Sequence, residues 1–207
     1  YDNAGQMLAQ TELVFGMLCA AETNDRMQAL QEQAMPLLAA HRDKIRLDDK
    51  LFVRVKEVYD RRAALGLDAE QMRLLQKTYD SFVRAGALLD AEQKARLKEI
   101  NGQLSLTAVK FGNNILAENN NFVLELKSDE LDGLPAGIRD AAREKAQQMG
   151  KGDKWVFTLH KPSLIPLLTY STRRDLREKI YKAYLNRCNN GDEYDNKQLI
   201  NDFIRLR

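Results

Sequence analysis

Two copies of the pattern Asp-Ala-Glu-Gln, at Asp68–Gln71 and Asp90–Gln93, constrain this chain more than any other local feature. Each places a carboxylate three residues before a glutamine, so the two groups satisfy each other's orphan backbone donors at a helix N-terminus. Between the two starts, Met72, Leu75, Tyr79, Phe82 and Gly86 recur at intervals of three and four, which is one apolar face of a helix. After the second start the stripe continues through Leu97, Ile100, Leu104, Ala108, Phe111 and Ile115. A helix over 91–118 is expected, about 40 Å long at about 1.5 Å per residue. Gly102 and Gly112 weaken it, and close packing by a neighbour would account for them.

The same punctuation extends upstream. Leu51, Val55, Val58, Arg62 and Leu65 give a stripe that Gly66 closes as the residue after the helix. Residues 2–22 and 25–45 also read as helices, the second broken or kinked by Pro36. The apolar block Leu13–Ala21 is too short for the ~20 residues of a membrane span. It follows Glu12 without a basic lead, so it reads as a buried helix and not as a signal peptide. These segments form a run of antiparallel helices joined by short polar turns.

The pattern changes at Asn119–Asn121. Phe122–Leu126 and Trp155–Leu159 have strand composition, and a helix over 135–149 lies between them, opened by Pro135 and closed by Gly150. The two runs can pair as a small ribbon of undetermined direction. Helix then returns: a short segment after Lys161-Pro162-Ser163, a stripe through Leu176, Ile180, Ala183 and Tyr184, and a last helix capped over Asp195–Gln198 with Leu199, Ile200 and Phe203 as its buried side. The expected fold class is mainly α: an antiparallel helical bundle with a small two-stranded β element. Its parts are a helical region at 1–118, a strand-helix-strand insertion at 119–160 and a helical region at 161–207, all within one structural domain. The chain begins at Tyr1 without an initiator Met and stops at Arg207 without a helix stop signal, which suggests a piece of a longer protein.

Composition excludes several functions. Lys and Arg total 32 against 30 Asp and Glu, so the net charge is only +2, and no gathered positive face points to nucleic acid. No membrane partner is expected either. The two cysteines, Cys19 and Cys188, do not make a disulfide framework, and the compartment stays open between cytoplasm and periplasm.

Histidine is the decisive count for chemistry. The only two, His41 and His160, each lack a second histidine three to five residues away, and no His-Glu-x-x-His occurs. A zinc site built wholly from this chain is therefore not expected; no catalytic, metal-binding or substrate-binding residue is assigned. His41, beside Arg42, reads as a helix C-terminal dipole partner, and His160 as a loop residue after its strand. The acidic run Asp192-Glu193-Tyr194-Asp195 lacks the ligand series of a calcium loop and reads as a helix N-terminal turn. Arg173, Arg174 and Arg177 are interleaved with Asp175 and Glu178 as a solvated helix face, and Tyr181 and Tyr184 read as core or interface residues. Gly150-Lys151-Gly152 is a turn and not a phosphate loop.

The block Lys154–Tyr170, continuing through Arg174–Tyr184 to Asn186–Asn196, resembles the segment that precedes the catalytic region in zinc metallopeptidases of the M3, or thimet-oligopeptidase-like, family. The likeness is nearest to its bacterial peptidyl-dipeptidases of the Dcp type. Leu89–Asn120, with Phe111-Gly112 and Ala117-Glu118-Asn119, resembles the long helix and asparagine-rich turn of the same proteins. The resemblance implies the N-terminal portion of a neurolysin/thimet-oligopeptidase-like fold, one wall of a channel in which short peptides are cleaved. It implies zinc in the parent protein, with every ligand beyond Arg207, and the missing catalytic half as this chain's partner. The competing expectation is a helical protein-interaction scaffold without peptidase activity.

Overall fold

A computed structural model describes residues 5–207. The helix expected over 2–22 is described from Gln6, and residues 2–4 of that expectation lie outside the described residues. The elements, in order, are α1 (Gln6–Ala21), α2 (Asp25–Arg46), α3 (Asp49–Asp60), a 3-10 turn at Arg62–Ala64, α4 (Ala69–Arg84), α5 (Ala91–Asn121), β1 (Leu124–Leu126), α6 (Ala136–Gln148), β2 (Trp155–Phe157), α7 (Lys161–Tyr170), α8 (Arg174–Leu185) and α9 (Lys197–Leu206). Mainly helical with one two-stranded sheet is the fold class expected from the sequence.

The chain forms two compact units. The first comprises residues up to Val109 together with Phe203–Arg207; the second is Lys110–Asp202. Both capping boxes form. Asp68 accepts from the Gln71 N–H at 2.8 Å while the Gln71 side chain accepts from the Asp68 N–H at 3.2 Å, and Asp90 and Gln93 repeat the geometry.

In the first unit, α3 and α4 pack through Phe52 and Phe82, joined by Ala87 just after α4, with Leu51, Val55, Tyr79 and Val83 against them. The Phe52 and Phe82 rings lie 6.1 Å apart, and Tyr79 stacks on Tyr59 at 3.9 Å with Arg62 over the far ring. Two polar ties hold α5: the Lys94–Asp49 ion pair joins it to α3, and Asn101 donates to Asp43 of α2 at 2.8 Å. Burial raises the Asp43 carboxyl above its ordinary value, against the opposing pull of Asn101 and Lys98.

Several expectations for α1, α2 and α5 are corrected. Leu13–Ala21 is helical, but α1 has no buried residue. α2 continues through Pro36, so of the two readings for that residue the break is not found. In α5 the buried residues are Lys94 and Val109, whereas Ala108 and Phe111 of the expected stripe are exposed. A Cβ at Gly102 or Gly112 would meet nothing within 4 Å, so neither glycine answers a close neighbour. The asparagine run belongs to the last turn of α5 and not to a turn after it.

The second unit carries the larger core. β1 and β2 pair antiparallel with Leu124 opposite Phe157 and Leu126 opposite Trp155, so Leu124, Leu126 and Phe157 are buried while Glu125 faces out. α6 packs on β2 through Ala142, small enough for close approach, and Leu164, Leu167, Leu176 and Ile180 of α7 and α8 complete the cluster. At φ +81°, Gly133 lets the chain turn against the end of α7: a Cβ there would lie 2.2 Å from the Tyr170 carbonyl oxygen. At the start of the last helix Asp195, and not Gln198, makes the capping contact. Asp195 accepts from the Gly191 and Lys197 N–H groups, the Gln198 side chain turns to Asp202, and Ile200 is exposed.

Candidate functional site

The densest polar constellation lies in the second unit, where the C-terminal turns of α5 hold the loop 186–196 that follows α8. The Glu118 carboxylate accepts from the Cys188 backbone N–H and from the Asn190 side chain. Asn119 accepts from Arg187 at 3.1 Å, and the same guanidinium lies 3.9 Å from the centre of the Tyr184 ring. Asn196, 2% exposed, accepts from Asn114 at 2.9 Å and donates to the Phe111 carbonyl at 3.2 Å. Its own N–H closes the loop onto the Cys188 carbonyl at 2.8 Å.

Cys188 sits at the centre of this clasp with φ +56°, the one non-glycine with positive φ among the described residues. Fixing such a residue costs on the order of 1–3 kcal/mol, which the surrounding hydrogen bonds offset. Burial, then the Glu118 carboxylate, push the thiol up to about 11. A thiol held protonated is a poor nucleophile and a poor metal ligand. The hydrogen bonds of the clasp fix the backbone of the loop against the end of α5. No sequence signal pointed to it, because its partners stand roughly seventy to eighty-five residues apart.

The two histidines occupy different settings. His41 is exposed on α2, before the last turn that holds Lys44 and Arg46, so it is not the dipole partner expected from the sequence. Its neighbour Arg42 pairs with Glu12 of α1. His160 is the N-cap residue of α7, makes no side-chain cap, and borders a cavity of about 270 Å³ with Lys145, Thr158 and Ser163. The Ser163 hydroxyl there accepts from the Thr158 N–H at 3.0 Å, a turn-stabilising bond.

The charged clusters are engaged locally. Arg173 grips Asp175 through two bonds of 2.9 and 2.7 Å, which holds that carboxyl below its ordinary value. Arg177 donates to the Ser171 carbonyl, and Tyr181 is exposed. Asp192 accepts from the Tyr194 N–H, and the Lys197 ammonium lies 2.9 Å from Asp195. Among the described residues, no group of three or more His, Cys, Asp or Glu side chains is placed to hold a metal ion. The described residues thus offer no fitting donor set for the zinc that the resemblance implies. No helix among the described residues is long and apolar enough to cross a membrane.

No family model matches the chain. Among curated proteins it is 33% identical, over all 207 residues, to the dipeptidyl carboxypeptidase of Escherichia coli K12, of which it spans 30%. It is 25% identical to oligopeptidase A of the same organism, again over the whole chain and 32% of the relative. A probable cytosolic oligopeptidase A from Arabidopsis thaliana matches at 25% over 98% of the chain and 30% of its own length. The chain thus spans about a third of the length of the curated relatives it matches.

Proposed function

Because the chain belongs to the M3 peptidase family and corresponds to the N-terminal part of its members, we propose that it is the noncatalytic portion of a zinc-dependent peptidase acting on short peptides. One observation carries the reading. The match runs the full length of the chain yet spans only 30% of the relative. The chemistry then belongs to the remainder of the parent, and this portion contributes one wall of a substrate channel.

The clasp gives that wall a fixed end. Asn114 and Glu118 on α5 set where the loop 186–196 stops and α9 starts. A largely pre-formed boundary suits a wall that admits short peptides. Both dipeptidyl carboxypeptidase and oligopeptidase A occur among the relatives. The proposal extends to peptidase action on oligopeptides and leaves exo- or endo-specificity to the remainder of the parent.

The test compares the 207-residue chain with its full-length parent in two assays, hydrolysis of short blocked and free-carboxylate peptides, and zinc content after dialysis. The parent is expected to hydrolyse peptides and retain zinc, and the chain alone to do neither. Peptide hydrolysis by the chain alone, or a parent that neither cleaves peptides nor holds zinc, overturns the proposal.

A further inference from the structure

The outer side of α1 is the surface that the fold leaves without an explanation. Half-buried Glu12, Phe15 and Cys19 mark the inner side of this helix, where Glu12 pairs with Arg42 of α2. On the other side Met7, Gln10, Val14, Met17 and Ala21 repeat at three and four, the spacing of a helix-to-helix seam. Leu13 and Leu18 flank them. Met7 is 82% exposed, Leu13 65%, Met17 63% and Val14 56%. Glu12 is the only charged residue in α1, and no basic residue occurs in it. A helix of 16 residues is marginal in water unless packing supports it. Contiguous exposed apolar surface of this kind marks an interaction site.

We propose that this face is a docking surface for one apolar-striped helix supplied by the part of the parent polypeptide outside these 207 residues. The inference rests on the reading of the chain as a portion of a longer M3 peptidase. Three observations select this occupant. The relatives are roughly three times as long as the chain, so most of the parent's surface is available to provide such a helix. The seam is uncharged, which matches another buried helix and offers nothing to an anionic membrane surface; a membrane-surface helix normally carries lysines or arginines beside its apolar side. The area is also too small for a stable dimer. A helix about 24 Å long and about 11 Å wide has a footprint of roughly 250 Å², against about 800 Å² per partner in a stable interface. A tethered partner needs less, because connection within one chain raises its effective concentration.

Hydrogen exchange followed by mass spectrometry, on peptides covering Gln6–Ala21, tests this in the chain and in the full-length parent. In the parent, exchange over α1 is expected to slow at least tenfold relative to the 207-residue chain. Equal rates in the two proteins overturn the proposal. So does slow exchange in the chain alone, whether it accompanies a sedimenting dimer that Val14→Glu dissociates or binding to phosphatidylcholine vesicles. Peptide hydrolysis is measured on the same parent sample. An inactive parent with a protected α1 counts against the peptidase reading and leaves the docking surface standing, whereas an active parent with an unprotected α1 does the reverse.

Discussion

Replacing Gly133 with alanine tests the tightest steric contact in the second unit. The residue has φ +81°, and its Cβ would fall 2.2 Å from the Tyr170 carbonyl oxygen, 2.9 Å from Thr172 Cγ2 and 3.0 Å from Thr172 N. Two of these are backbone atoms, so no side-chain rotation relieves the clash. Left-handed geometry costs alanine about 1–2 kcal/mol. Moving residues 170–172 away also strains two bonds to the neighbouring residue: the Thr172 N–H to the Asp132 carbonyl at 3.2 Å, and the Thr172 hydroxyl to the Asp132 carboxylate at 2.6 Å. Losing them adds about 1–2 kcal/mol, the lower part of the usual range because the site is exposed. A total of about 3 kcal/mol, with a urea slope near 1.5 kcal/mol per molar, moves the midpoint by about 2 M. Trp155 is the only tryptophan and lies on β2, so its fluorescence follows this unit. Gly112→Ala is the control: it lies in helix with nothing within 4 Å of a Cβ, and helix propensity favours it by up to ~1 kcal/mol. An unchanged midpoint for Gly133→Ala, or equal losses for both variants, would refute the reasoning.

Phe82→Ala removes the fully buried ring at the centre of the first unit and should cost about 3–5 kcal/mol, read as loss of far-UV circular dichroism at lower urea. Asp68→Ala deletes one half of a formed capping box and should cost about 1 kcal/mol, with Asp68→Asn recovering most of it in the same melt. The Cys188 thiol ionises at about 11 in the folded protein against 9.0 ordinarily. Above pH 9 the unfolded chain loses that proton first, so this group's contribution to stability is present below pH 9 and lost between pH 9 and about 11. Its alkylation by iodoacetamide should be slow at pH 8, and Glu118→Gln, which removes the carboxylate that helps raise the thiol, should speed it; equal rates would remove Glu118 as a cause.

What the sequence disclosed follows the range of each interaction. Helix starts were legible because a cap is decided within four residues, and both Asp-Ala-Glu-Gln boxes form as read. The ribbon was legible from composition, and its antiparallel register needed the alternation of Leu124, Glu125 and Leu126 against their partners. Burial was less legible. The apolar run in α1 read as core because hydrophobicity usually signals it, but no described element covers its outer side. Gly102 and Gly112 suggested close neighbours and have none. For the candidate site, His41 and His160 could be weighed from their spacing alone. The clasp was not legible, since Glu118, Cys188 and Asn196 come together only through the fold of the whole second unit.

The two units differ in how they are held together, and this bears on what the chain does apart from its parent. Of the buried apolar side chains among the described residues, five lie in the first unit (Leu47, Phe52, Phe82, Ala87 and Val109) and fourteen in the second. Counting only Val, Leu, Ile and Phe at about 2 kcal/mol each, the second unit's seven more represent a gross difference on the order of 14 kcal/mol, comparable to the total stability of a domain. The first unit is the longer of the two, so the entropy of ordering its chain does not cancel that difference. The first unit should therefore unfold first. Far-UV circular dichroism is expected to fall in two steps with urea, and Trp155 fluorescence to follow only the later one. In the full-length parent, covering α1 would raise the early step toward the later one. Coincident transitions in the isolated chain would show that the first unit draws on stabilisation its five buried apolar side chains do not supply.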